Sequence, residues 1–507
     1  MIKRRPGRRL GTALLMIVLT TLTIALSGCS SDKTGDDSST LTVGIPQDID
    51  SLDPHYATGA GTKEVLFNVF EGLVKPDKDG NLNPAVASEY TVSDDHTVYT
   101  FTLRDGIKFH DGSAVTVEDI KYSIDRNRGA DGSEPLISAF SKITDVNIVD
   151  DKHVEIVLAE ADSDFIAQLT VAIIPANNQT PETTPIGTGP YKYVSSSPQE
   201  NVIMTRFDDY WGQKAYIKDV TFKVEANADA IVMDLNGGSI DMFPRLTSNQ
   251  VAQLSEEFQV YEGTMNLVQA LYINNAEKPF DDVRVRQALC YAIDRQEIMD
   301  YVSDGDGTPI GSAMFPSYAK YFLPELNDTY TKDIDKAKEL LAEAGYPDGF
   351  EFTITVPSNY TQHVDTAQVL SEELKAIGVT AKIQEVEWNT WLSDVYSDRK
   401  YQSTVIGVDA STLSASSLLA RYVSDAGRNF VNFNSADYDA AYKSAVETSD
   451  DAAKTEFYKE CERILSKEAA SVYIQDLPEY VALNKKYTGY EFYPLYVQDI
   501  SLIKPVE

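Results

Sequence analysis

Sulfur and imidazole are scarce in this chain: three cysteines and five histidines among 507 residues. The histidines (His55, His96, His110, His153 and His363) are scattered, with no i,i+4 pair and no metal-ligand spacing, so no metal site is expected. No G-x-S-x-G, C-x-x-C or Walker A segment occurs. Ser317–Lys320 and Ser397–Lys400 each satisfy S-x-x-K, but the S-D-N partner is absent and the only K-T-G lies at Lys33–Gly35. Neither a catalytic residue nor a cofactor is therefore expected, and the chain reads as a binder and not an enzyme. Basic residues are also few, 44 against 78 acids, for a net charge of −34. Phosphate binding needs a basic footprint, so nucleic acid is excluded as a partner. Beyond the N-terminus no run approaches the ~18 apolar residues of a membrane span.

The N-terminus supplies what the rest lacks. Lys3, Arg4, Arg5, Arg8 and Arg9 precede an apolar stretch from Leu10 to Ala25, the pattern of a signal peptide, with a retained anchor as the alternative. Leu26-Ser27-Gly28-Cys29 resembles the lipobox of bacterial lipoproteins. That resemblance implies cleavage of residues 1–28, lipidation of Cys29 and general secretion. Cleavage removes five bases and no acids, taking the net charge to −39. Residues 29–40 are nearly devoid of apolar side chains and read as a disordered tether. Cys290 and Cys461, in helix-patterned segments, read as buried free thiols and not a disulfide.

The stretch that organises the remainder runs from Thr97 to Asp125. Tyr99, Phe101 and Leu103 alternate as a strand, and Asp105-Gly106 predicts a turn into a short return strand at Ile107–Phe109. Thr116 predicts an N-cap, and Val117, Ile120 and Ile124 share a helix face. Asp77, Asp79 and Asn81 only superficially imitate a calcium loop, since Leu82 and Ser88 stand where glycine and glutamate are required. Asp281 or Asp282, then Asp294 and Asp333, are expected to cap later helices. Alternation at Phe350–Val356, a helix through Ala367, Leu370 and Leu374, and a strand at Val379–Val386 together predict a βαβ unit and parallel sheet.

The words "TLRDGIKFHDGSAVTVEDIKYSIDR", "PIGTGPYKY", "DDYWG" and "PFDDVRVRQA" resemble, in order, those of the family 5 extracellular solute-binding proteins, the peptide and nickel receptors of ABC importers. The resemblance covers essentially all of 41–507. It implies an α/β fold, a two-lobed periplasmic-binding-protein type II clamshell with an additional β-rich subdomain. Lobe I would comprise 41–75, 187–268 and 478–507, the β-rich insert 76–186 and lobe III 269–477. It further implies a monomer that captures a peptide or other small solute and serves a permease and ATPase subunits. The chain would sit outside the cytoplasm, held to the membrane by Cys29, on a cell surface or a periplasmic face.

Site residues follow by the same resemblance. Trp388 stands where a tryptophan lines the side-chain pocket of peptide-binding relatives, although core packing is its other reading. The opening word "DSLDPHYATG" brings Tyr56 toward the cleft. Where those relatives show G-W-x-x-D, whose aspartate pairs with a peptide α-ammonium, this chain reads Gly407-Val408-Asp409-Ala410-Ser411. Val408 replaces the tryptophan and Ser411 the aspartate. Asp409 lies two residues early, on the same side of an extended strand. Either Asp409 substitutes as the anchor or the ligand lacks a free amine, with Arg245 and Ser411 the next polar groups. Non-peptide solutes (a nickel chelate or an oligosaccharide) remain the alternative ligands.

Overall fold

The computed structural model describes residues 39–225, 227–410, 412–448 and 450–506, without the side chains of Ala60, Ala228 and Asp229. The signal-peptide pattern, Cys29, nearly all of the tether and Ser411 lie outside the described residues. Two large sheets carry the architecture. The first runs, edge to edge, through Phe258–Thr264, Pro478–Asn484, Met242–Leu246, Thr40–Ile45, Asp219–Val224, Asn201–Arg206 and Tyr191–Ser197. Ordered pairing thus begins at Thr40, opposite Asp219, one residue inside the expected tether. The second runs through Thr308–Pro309, Ser471–Asp476, Leu267–Ile273, Ser403–Asp409, Glu351–Pro357 and Thr380–Val386.

The βαβ unit is present, with Glu351–Pro357 parallel to Thr380–Val386 and the helix Thr361–Glu373 between them. Its sheet is not parallel throughout, however. Leu267–Ile273 pairs antiparallel with both neighbours, because the chain enters this sheet and leaves it by adjacent strands. All seven residues of Leu267–Ile273 are buried, as a central strand covered on both faces requires.

Those two strands are also the crossings between the sheets. Phe258–Thr264 of the first sheet passes through Met265 and Asn266 into Leu267–Ile273 of the second, and Ser471–Asp476 returns through Leu477 into Pro478–Asn484. The crossings are tied side by side. Met265 N–H donates to Leu477 O at 2.9 Å, and Leu267 N–H donates to Asp476 Oδ1 at 3.1 Å. Asn266 turns the chain with a φ of 54°, where its amide donates to Thr264 O and Tyr493 O. Burial holds the Asp476 carboxyl well above the usual carboxylate range.

A four-stranded antiparallel sheet, Ala87–Val92, Val98–Leu103, His153–Leu158 and Ile143–Ile148, makes the β-rich part. Here the expected hairpin at Asp105-Gly106 is corrected. Val98–Leu103 pairs with Ala87–Val92 and His153–Leu158, so both its edges are taken, and Ile107–Phe109 keeps only a Lys108–Ala114 bridge. Thr116 caps Val117–Arg128 in a full capping box with Asp119, and Val117, Ile120 and Ile124 are buried beneath it.

Three of the four family words, at 108–110, 187–189 and 209–211, meet beside this part. Neutral His110, its pKa lowered to about 4 by burial, bridges the glycine segment: Nε2 lies 2.9 Å from Gly189 O and Nδ1 accepts from Gly187 N–H at 3.3 Å. One tautomer, protonated at Nε2, satisfies both contacts. A Cβ on Gly187 would stand 2.0 Å from Val69 O, so the close approach requires glycine. Lys108 pairs with Asp209 at 2.8 Å, Tyr210 and Trp211 donate to the buried Glu71, and Arg104 stacks 3.9 Å over Trp211. His110 is therefore a fastener of chain to chain, while Asp111 accepts from Ser113 within its own turn.

Cys290 and Cys461 are free and buried, as expected. Beside Cys461, on the helix Asp451–Lys467, Glu462 is fully buried and accepts from Ser312 Oγ at 2.7 Å. Burial pushes its carboxyl up to about 8. The folded chain thus binds a proton that the unfolded chain releases near the ordinary carboxylate value. This stabilisation is complete below that value and is lost as pH rises through about 8. Glu462→Gln, which mimics the protonated acid, should flatten the loss. Melting curves should show it equal to the wild type near pH 5 and a few degrees more stable at pH 8.

Candidate functional site at the seam between the sheets

Strand Ser403–Asp409 ends opposite Leu267, so Asp409 stands beside one crossing, at the end of an interior strand of the second sheet. Its carboxylate has no hydrogen bond or ion pair within the described residues, although it is only half-buried. Facing it is the helix Ala60–Leu66, whose Val65 and Leu66 enter the core of the first sheet while Lys63 stays exposed. Lys63 is nonetheless closely surrounded. Burial, reinforced by Arg428 and Arg421, draws its ammonium below the usual lysine range, and Asp409 opposes that shift. Gln47 lies against this helix at Gly61 and also meets Tyr360 of the second sheet's body, so the helix borders the recess between the two.

An aromatic wall borders this recess. Trp388 and Trp391 stack with ring centroids 5.3 Å apart at 7°, Tyr360 meets Trp388 edge-on at 5.5 Å, and Tyr396 lies 6.1 Å beyond Trp391. Trp391 is sunk in the core and donates to Thr404 Oγ1 at 2.9 Å; Trp388, Tyr360 and Tyr396 are half-buried. A π-helical segment, Trp391–Ser397, follows Trp388 and sets the spacing of these rings. Tyr360 OH donates to Gln47 at 3.3 Å, linking the second sheet's body to the loop after Thr40–Ile45. Arg421 donates to Tyr396 OH at 3.0 Å, while its buried Nε has no partner among the described residues. Arg421 also borders a hole of about 10 Å³ with Val268, Val408 and Phe430, room for one water at most.

The expected site residues separate into two groups. Trp388 lies in the aromatic wall, and Asp409 at the end of its strand beside Leu267. Arg245 presents no free polar group at the seam, and the exposed Tyr56 packs its ring under Arg126. The Arg245 guanidinium, 8% exposed, is bidentate to Glu64 at 2.6 Å and 2.6 Å, lies 3.6 Å from Glu479 and stacks 4.3 Å from the Tyr496 ring. Burial pushes Glu479 up to about 7 and Glu64 upward too, and Arg245 opposes both shifts. Tyr56 is 55% exposed under the Arg126 guanidinium, which is itself tied to Asp53. Lys63, Tyr360, Tyr396, Arg421 and Arg428 were missed. Each sits in an unremarkable local pattern, and only tertiary convergence singles them out.

Two lobes on separate sheets, joined by paired crossings and facing one another across an aromatic and charged recess, define a two-lobed binding protein. A family profile described as bacterial extracellular solute-binding proteins, family 5 Middle, matches residues 81–430, and the chain belongs to that family. The glutathione-binding protein GsiB of Salmonella typhimurium is 29% identical over 477 residues, covering 90% of this chain and 92% of the relative. The oligopeptide-binding protein AppA of Bacillus subtilis is 27% identical over 546 residues, covering 96% and 97%. Among solved structures, the binding protein AgaA from A. tumefaciens R10, in complex with agropinic acid, aligns with a TM-score of 0.83 at 26% identity, covering 92% of this chain and 99% of that one. DppA of Helicobacter pylori, in complex with the peptide STSA, shares the fold with a TM-score of 0.84 at 24% identity, covering 92% and 98%.

Arg245 serves as a test of how the site divides. Arg245→Met leaves Glu64 and Glu479 buried without their counter-charge, and loss of one partner of a buried pair costs about 3–5 kcal/mol. Thermal unfolding should drop sharply with and without ligand. A variant of native stability that has lost solute affinity would instead put the guanidinium on the solute.

Proposed function

We propose that this chain is the lipid-anchored receptor of an ABC importer, capturing a peptide between two hinged lobes and delivering it to a permease energised by an ATPase. The observation that carries the reading is Asp409, an unpaired carboxylate beside the Trp388 wall and the interlobe crossings. It stands two residues before the position at which peptide-binding relatives place their amine anchor. The glutathione- and oligopeptide-binding relatives support a peptide cargo. The parts divide as lobe I (41–75, 187–268 and 478–507), insert (76–186) and lobe III (269–477), and the protein works as a monomer that binds and does not catalyse. Ser411, one residue past Ala410, is a second polar group for the ligand. The agropinic acid complex of AgaA favours, as a second reading, a non-peptide solute in the same seam.

Calorimetry on lipid-free protein, stripped of any ligand carried through purification, tests the cargo. If Asp409 holds an α-ammonium, Asp409→Asn strands that charge, a loss of about 2–5 kcal/mol for a buried pair. It should weaken a free-amine peptide by at least about tenfold and leave its N-acetylated form unchanged. Equal losses for both peptides would give Asp409 a role in the cleft wall only.

The anchor is tested separately. Multiple acyl chains on Cys29 would hold where one is marginal, and the tether separates them from the folded body. Cys29→Ala should release folded protein from membranes. Continued fractionation with membranes would favour the retained N-terminal segment.

A further inference from the structure

Helix Asp451–Lys467 of the second lobe carries two buried side chains whose polar ends find their partners only in the β-rich part, among the described residues. The Lys454 ammonium donates to Ser163 Oγ at 2.9 Å and to Asp164 Oδ1 at 2.8 Å, and Tyr458 OH donates to Asp164 Oδ2 at 2.7 Å. Ser163 Oγ also reaches Thr448 O at 3.4 Å. Both oxygens of the Asp164 carboxylate are thus taken by the second lobe. The charges nearby are settled within their own bodies: Asp162 and Glu160 pair with Lys142 in the β-rich part, and Asp451 with Lys320 in the second lobe.

Each end is rooted in a different core. Phe165, next to Asp164, is buried with Tyr99 and Phe140 in the core of the β-rich part. Tyr458 is buried in the core of the second lobe, where Tyr321 meets it edge-on at 5.4 Å. Between residues 164 and 454 the chain runs through the first sheet and the Met265–Asn266 crossing, so the contact joins bodies that the backbone connects only by way of the joint.

We infer that Ser163 and Asp164, gripped by Lys454 and Tyr458, form a latch by which the β-rich part holds the second lobe closed. This rests on the hinged-receptor reading above and gives the β-rich part a role in it. At 9% and 14% side-chain exposure, the Lys454–Asp164 pair is screened less than a surface ion pair. Because the partners lie on opposite bodies, parting the lobes hydrates both ends together, and opening is reversible. These are positioning residues: they touch no solute and act on capture through the share of closed molecules.

Double electron–electron resonance on ligand-stripped protein carrying Cys29→Ala tests the latch. Nitroxides go on the exposed sites Asp151→Cys in the β-rich part and Lys443→Cys in the second lobe, since Cys290 and Cys461 are buried. Lys454→Met should raise the ratio of long to short distances at least about tenfold. Tyr458→Phe, which keeps the ring in the core, should shift it in the same direction by a smaller factor, and Lys320→Met should leave it unchanged. Two distance populations that neither latch variant moves, even with a lowered melting temperature, overturn the latch and leave the hinge standing. A single narrow population in the wild type and in every variant overturns the latch and the hinged reading together. A wild type holding only the long distance overturns the latch, since it then secures nothing.

Discussion

Everything in this protein hangs on two strand crossings that lie side by side. Phe258–Thr264 and Pro478–Asn484 belong to one sheet, Leu267–Ile273 and Ser471–Asp476 to the other, and three linking residues carry the chain across. Their mutual hydrogen bonds, from Met265 to Leu477 and from Leu267 to Asp476, make one narrow joint out of two. Rotation of one lobe against the other is thereby confined to a few backbone torsions. The recess lies next to that joint because Asp409 pairs with Leu267. A small rotation there moves Lys63 relative to Asp409 and opens or tightens the Gln47–Tyr360 contact.

The polar groups around the recess divide according to whether they are already satisfied. Arg245, Glu64 and Glu479 form a closed set whose desolvation is compensated internally. Asp409, Lys63 and Arg428 lack such partners, and their charges remain available. Burial alone does not distinguish scaffold from site here, since Arg421 is partly covered and partly unsatisfied. What distinguishes them is the hydrogen-bond account.

Much of the fold was legible because its signals are local. The capping box at Thr116, the caps at Asp282, Asp294 and Asp333, the αL glycines Gly345 and Gly378, and the alternation inside each strand of the βαβ unit are all read over a short stretch of chain. The return strand at Ile107–Phe109 failed as an expectation because Val98–Leu103 spends one edge on the preceding strand Ala87–Val92 and the other on His153–Leu158, which is distant in sequence. Of the expected site residues, family words marked Trp388, which the structure places in the aromatic wall, and Asp409, which it places at the end of a strand opposite Leu267. Arg245 looked available because its partner Glu64 lies 181 residues away. Lys63, Arg421 and Arg428 carry no spacing signal, since their convergence exists only once the lobes are in place.

The clasp around His110 has a bearing on inheritance. Its contacts with Gly187 and Gly189, and the Lys108–Asp209 and Glu71–Trp211 links beside it, join chain segments and touch no part of the recess. The words that form this clasp thus serve assembly. Lineages can keep them unchanged while the recess drifts to a new cargo, so kinship recognised through these words says which machine a descendant feeds and is silent about what it carries.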